Sequence, residues 1–146
     1  MKIAIGSDHA AYEYKKELSA WLKDQGHQVL DFGTYNNDSV DYPDFAFPAA
    51  ESVASGESDF GCIICGSGIG MSIVSNKVTG VRAALCMTPE MAELARRHNN
   101  ANVINFGQRL VDLDNAKAML DTFINTDFDG GRHQNRVDKI HNLTGR

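Results

Sequence analysis

No stretch of this chain approaches the roughly 18 consecutive apolar residues that a membrane-spanning helix requires. At the start, Met1-Lys2-Ile3-Ala4-Ile5-Gly6-Ser7-Asp8 holds an apolar run too short for a secretory signal, and an acid cuts it. Positive charge is in deficit, with 14 Lys and Arg against 19 Asp and Glu and a formal net charge of -5. That balance argues against a general nucleic-acid binder or a membrane-surface protein, which need a basic face, so an anionic ligand has to be captured by local groups. Cysteine is scarce as well. The three thiols are an odd number, and Cys62 and Cys86 lie inside apolar segments, which argues against a disulfide scaffold and leads to an expected cytoplasmic location. There is no repeat, low-complexity tract or long linker. A length of 146 residues at 42% hydrophobic content therefore reads as one domain over residues 1–146, with a basic helix and tail over 129–146.

Short apolar runs alternate with helical patterns, the signature of a parallel sheet covered on both faces. Strands are expected at Lys2 to Gly6, Gln28 to Gly33, Phe60 to Cys65, Val81 to Cys86 and Asn102 to Gly107. Ala11, Tyr14, Leu18, Trp21 and Leu22 recur at helical spacing, and Gly26 supplies a stop. Further helices are expected from Pro43 to Ser55, from Gly68 to Val78, from Thr88-Pro89-Glu90 to Asn99-Asn100, from Leu113 to Asn125 and from Arg132 to Asn142. The fold class is α/β, a three-layer α/β/α sandwich with a Rossmann-like five-stranded parallel sheet. In such sheets ligands bind at the carboxyl ends of the strands. By that rule Asp8 and His9, Cys65 to Ser67, the Arg97-His98-Asn99 segment and Arg109 are expected to face one cleft.

Gly66, Gly68 and Gly70 alternate in Cys65-Gly66-Ser67-Gly68-Ile69-Gly70, between a buried strand and a helix. Their unobstructed amides suit an anion at the helix N-terminus, although a tight turn packing the helix onto the sheet has the same pattern. Better-known loops do not match. The third glycine comes one residue early for a dinucleotide fingerprint, no lysine follows Gly70 as in a phosphate-binding Walker loop, and Met71 stands where a cysteine phosphatase needs arginine. Cys62 and Cys65 lie in one strand, where three extended residues separate their α-carbons by about 10 Å, beyond the roughly 7 Å that a disulfide tolerates. With no second cysteine pair, a zinc site has no support, and no metal is expected. Cys65 opens the loop beside a helix N-terminus, where thiols are easier to deprotonate, and it reads as a base, a nucleophile or both.

Other groups carry paired readings. Asp8 is either a helix cap or a binder of sugar hydroxyls beside His9. His98 is either a dipole contact in the last helical turn or a proton-transfer group, and Tyr42 either packs on the core or covers the cleft. Arg132 and Arg136, four apart, either form a solvated basic face or grip one phosphate together. Together with Arg109 they point to a dianionic ligand.

Taken together, Gly6-Ser7-Asp8-His9-Ala10, Asp41-Tyr42-Pro43, Ile64 to Gly70, Ser75-Asn76-Lys77, Arg97 to Asn102 and Gly130 to Arg136 resemble the type B ribose-5-phosphate isomerases, the cysteine-base branch of the ribose/galactose isomerase family. The match spans nearly the whole chain. It implies interconversion of ribose 5-phosphate and ribulose 5-phosphate through an enediolate, without metal or organic cofactor. In family terms Cys65 is the base, Ser67 and the amides from Gly66 through Gly68 and Ile69 to Gly70 stabilise the enediolate, His98 opens the ring and Asp8 assists at the sugar oxygens. Tyr42 and Asn99 position the open chain, while His9, Arg109, Arg132 and Arg136 hold the phosphate. The resemblance also implies a homodimer or a dimer of dimers with shared active sites. Ser67 stands where many members have threonine. Alternatives are an isomerase of a six-carbon sugar phosphate, such as allose 6-phosphate or galactose 6-phosphate, and a non-catalytic sugar-phosphate-binding module.

Overall fold

In the computed structural model, which describes residues 1–146, the apolar runs form strands β1 (Lys2–Ser7), β2 (Gln28–Asp31), β3 (Phe60–Cys65), β4 (Ala83–Leu85) and β5 (Val103–Gly107). They pair in parallel in one sheet ordered β2-β1-β3-β5-β4. The helices are α1 (Tyr12–Asp24), α2 (Pro43–Ala54), α3 (Ile69–Ser75), α4 (Pro89–Asn99), α5 (Leu113–Asn125) and α6 (Arg132–Thr144). No helix is long and apolar enough to cross a membrane.

Strand side chains alternate between the two faces, and the two halves of the core follow from that. Ile3, Ile5, Cys62, Ile64, Ile104 and Phe106 pack with Leu18 and Leu22 of α1, Ala92 and Ala95 of α4, and Met119, Leu120 and Phe123 of α5. Ala4, Ile63, Cys65 and Val103 face the other way, against the alanines of α2 and Met71 of α3. Cys62 and Cys65 therefore lie on opposite faces of the sheet, and all three cysteines are free thiols. Caps set the helix starts: Thr88 Oγ1 accepts from the Met91 amide at 3.2 Å and an Asp112 carboxylate oxygen from Asn115 at 2.9 Å.

Several boundaries differ from the sequence reading. The second strand stops at Asp31, short of Gly33, because Gly33 takes a φ of 93° and turns the chain away. The fourth covers Ala83–Leu85 rather than Val81 to Cys86, since the Arg82 amide is taken by the Asn102 side chain and the Val81 amide by a turn to Val78. The third helix begins at Ile69 and ends at Ser75, where the Lys77 and Val78 amides tighten into shorter turns. The last runs two residues further than expected, to Thr144, where Gly145 at a φ of 68° ends it.

Lys15 is 1% exposed, which periodicity does not foretell. Its ammonium pairs with Asp31 and lies 5.1 Å from the centre of the Tyr35 ring, and Asp31 also accepts from the Gly33 amide at 2.9 Å. The pair fastens α1 to the end of β2.

Phe123 is fully buried, edge-on to Phe60 at 5.6 Å, with the Arg96 guanidinium beside both rings. Phe123→Ala is expected to cost about 3–5 kcal/mol of unfolding free energy in a urea titration, whereas a loss below about 1 kcal/mol would show that this face repacks around the void.

Candidate active site

The chain leaves β1 toward β2 on one side of the sheet, and β3 pairs with β1 on the other. A crevice at the carboxyl edge opens where connections diverge in this way. Asp8 and His9 emerge from β1 on one side of it and the glycine loop from β3 on the other. The loop is bound to the end of β5, with the Gln108 amide donating to the Cys65 carbonyl at 3.0 Å and the Arg109 amide to the Gly66 carbonyl at 3.1 Å.

Two glycines make this approach possible. A Cβ on Gly107 would stand 2.4 Å from the Ser67 backbone, so β5 and the loop can touch only where a side chain is missing. Gly68 has a φ of 79° and caps α3, and a Cβ there would stand 2.7 Å from the Phe106 backbone. Sequence reading missed Gly107 as a determinant of the loop, because its role depends on a strand far away in the chain.

Cys65 is 5% exposed, and its sulfur accepts from the Gly68 amide at 3.0 Å. The Ile69 amide points to Ser67 Oγ at 3.4 Å. Two of the amides expected to cradle substrate are thus engaged with the loop's own side chains. Burial pushes the Cys62 thiol well above its ordinary range and that of Cys86 up to about 12.

The cleft of about 230 Å³ is lined by Asp8, His9, Tyr42, Cys65, Gly66, Ser67, Gly70 and Arg109 among others. Asp8 also caps the short 3-10 turn His9–Ala11, accepting from the Ala11 amide at 3.2 Å, so the capping role and a place in the cleft coexist. The Val40 amide donates to His9 Nδ1 at 3.2 Å, which puts the proton of the neutral ring on Nε2 as a donor. The Tyr42 ring lies so close to Gly70 that a Cβ there would come within 2.7 Å of it, and the Arg109 guanidinium is 3.2 Å from the Cβ position of Gly66.

His98, Asn99, Arg132 and Arg136 are elsewhere. A crossover helix runs back against its strand, so the end of α4 reaches the amino edge of the sheet; the Asn102 carbonyl just beyond it accepts from Gly61 at the start of β3. The expectation that the Arg97-His98-Asn99 segment shares the Cys65 cleft is therefore corrected for a single chain. At that opposite edge the His98 and His133 rings stack with centroids 4.3 Å apart and planes 3° from parallel. Arg97 donates to Asp129 and Glu93, at 3.1 Å each, and His98 Nε2 lies 4.0 Å from Asp129. The Arg97 contact holds the Asp129 carboxyl below its ordinary range. Burial, then the charges of His98, Arg132 and Arg136, push His133 below the usual histidine range. His98, Asp129 and His133 bring ligand-type atoms within 4.8 Å of one another, but parallel rings direct their lone pairs along parallel planes rather than to one ion.

A pair of arginines that the sequence reading passed over braces this edge. Arg82 donates to the Asn100 carbonyl at 2.7 and 2.9 Å, and Arg96 to the Asn100 side chain at 2.9 Å and the Ala101 carbonyl at 2.6 Å. They bond carbonyls of the turn just beyond the helix end, where Asn100 takes a φ of 45°. Burial lowers both guanidinium pKa values from the ordinary range.

The family model described as Ribose/Galactose Isomerase matches residues 3–140. Ribose-5-phosphate isomerase B of Escherichia coli strain K12 is 45% identical over 139 residues, covering 95% of this chain and 93% of its own. Among solved structures, ribose-5-phosphate isomerase B of Clostridium thermocellum has a TM-score of 0.98 at 51% identity, covering 99% of this chain and 98% of its own. The Mycoplasma genitalium enzyme, solved with bound ribulose 5-phosphate, has a TM-score of 0.94 at 41% identity, covering 99% and 97%.

Alkylation tests the contrast among the thiols. Iodoacetamide at neutral pH is expected to label Cys65 in the folded protein while sparing Cys62 and Cys86, as read by peptide mass mapping; labelling all three at one rate would refute it.

Proposed function

This chain belongs to the ribose/galactose isomerase family, and we propose that it interconverts ribose 5-phosphate and ribulose 5-phosphate through an enediolate, with Cys65 as the base. The observation that carries this reading is the convergence of a thiol, a hydroxyl and glycine amides in one cleft at the carboxyl end of β3. The Escherichia coli and Clostridium thermocellum relatives carry the isomerase name, and the Mycoplasma genitalium relative was solved with the ketose phosphate.

In the proposed reaction His98 and Asp8 exchange protons with the ring oxygen and the anomeric hydroxyl to open the furanose. Cys65 then removes the C2 proton as electrons move onto the C1 carbonyl oxygen, giving the enediolate. The proton returns from sulfur to C1 while the C2 hydroxyl loses its own, so one hydrogen passes from C2 to C1 and one from O2 to O1. The Gly68 amide donates to the sulfur and stabilises the thiolate form in which Cys65 takes the proton. Ser67 and the loop amides not engaged by Cys65 or Ser67 face the enediolate oxygens, where preorganised donors contribute most. Tyr42 and Asn99 position the open chain. His9 and Arg109 on one edge, with Arg132 and Arg136 on the other, hold the phosphate.

Those two edges belong to different ends of one sheet, so a working site needs two copies. We place the His98, Arg132 and Arg136 cluster of one subunit over the Cys65 cleft of another, in a homodimer or a dimer of dimers. A cleft of about 230 Å³ in one chain is smaller than the ~300 Å³ at the low end for ligand pockets, which supports a missing wall. A twofold axis would build two such sites from one contact.

Turnover of ribose 5-phosphate and allose 6-phosphate measured side by side tests activity and chain length together. Cys65→Ala is expected to lower kcat on ribose 5-phosphate by about 10²–10⁴-fold while phosphate binding survives; near wild-type turnover would remove Cys65 as the base. Mixing Cys65→Ala with His98→Asn subunits after denaturation and refolding is expected to restore about a quarter of wild-type activity, because half the dimers then carry one intact site. No recovery in verified mixed dimers would refute shared sites.

A further inference from the structure

We propose that His133 is a positioning residue for His98, a flat platform that fixes the plane of the ring-opening imidazole; the inference rests on the proposed role of His98. The geometry is specific. The rings are 3° from parallel with centroids 4.3 Å apart, an arrangement that sets both tilt and height of the upper ring. His98 is partly exposed at the last turn of α4, whereas His133 is buried on the first turn of α6. One ring is thus presented to solvent and the other is held by packing.

Few other constraints act on the His98 side chain. Its polar neighbour Asp129 Oδ2 stands at 4.0 Å, beyond hydrogen-bond reach, and Asp129 is already engaged by Arg97. The platform, by contrast, is anchored. The His133 amide donates to the Gly130 carbonyl at 3.0 Å, and Val137, one turn further along the same side of α6, is also buried. Arg132 and Arg136 fall on the neighbouring exposed stripe. One helix therefore presents the phosphate-holding arginines and the histidine platform at a fixed spacing, which couples the place of the phosphate to the angle of the ring.

The platform also suits a partner that changes charge. Burial first, and then the nearby charges of His98, Arg132 and Arg136, hold His133 toward its neutral form. A neutral ring can stack under His98 in either protonation state, and it attracts the cationic one through its π face. Acting through another residue, His133 needs no contact with substrate.

Two reactions separate positioning from general damage. Isomerisation of ribose 5-phosphate needs ring opening, whereas deuterium uptake from solvent at C1 of ribulose 5-phosphate, an open chain, needs proton transfer alone. In the intact oligomer His133→Ala is expected to slow the first by about ten- to a hundredfold and the second by less than about threefold, with KM nearly unchanged. His133→Phe keeps a flat ring and is expected to recover most of the lost rate. By NMR of ¹³C-histidine protein, the His98 ring protons should carry an upfield ring-current shift in the wild type that His133→Ala abolishes. Equal losses in both reactions, Phe no better than Ala, or an unchanged His98 shift in His133→Ala would each overturn the proposal. His98→Asn run in parallel keeps the two failures apart. If it fails to separate the two reactions, the ring-opening role falls and the platform with it; if it separates them and His133→Ala does not, the platform alone falls.

Discussion

A helix that follows a parallel strand must run back along the sheet, and this constraint sends the functional groups of the chain to two opposite edges. Residues that end strands β1, β3 and β5 gather at the carboxyl edge, with Cys65, Asp8, His9 and Arg109 among them. Residues that end α4 or begin α6 gather at the amino edge, with His98, His133, Arg132 and Arg136. Proximity within one subunit is excluded by topology, and a second copy is the economical way to join the halves. In the proposed reaction, sharing of the site would link catalysis to assembly, since neither edge holds both the thiol and the arginine pair.

At each edge the catalytic candidates rest on groups without chemistry of their own. The cradle around Cys65 exists because Gly107 has no side chain and the Ser67 backbone can lie against it. Across the sheet, Arg82 and Arg96 take up the carbonyls at the end of α4 and hold the turn that follows His98. These guanidiniums are themselves partly desolvated, at a cost offset by several charge-assisted hydrogen bonds. In an acidic chain, these two positive charges sit against backbone carbonyls.

Short continuous apolar runs made the strands legible, because the central strands of a covered sheet bury both faces. The helix cap at Thr88 likewise reads directly from local chemistry. Errors fell at the edges. Strand β4 has a neighbour on one side, and side-chain bonds from Asn102 compete for its backbone. The Cys65 loop, Asp8, His9, Tyr42 and Arg109 came together as the carboxyl-edge rule implies, and the His98 segment did not.

Lys15, Arg82, Arg96, Gly107 and His133 gave no local signal, since each matters through a partner distant in the chain. Hydrophobic period, caps and glycine spacing are properties of neighbouring residues, so the strand and helix order, and the presence of a thiol beside a glycine loop, were settled by the chain itself. Which edge a group occupies, how closely β5 meets the loop and which ring lies on His98 depend on crossovers and packing between remote segments. Those were decided by the tertiary structure alone.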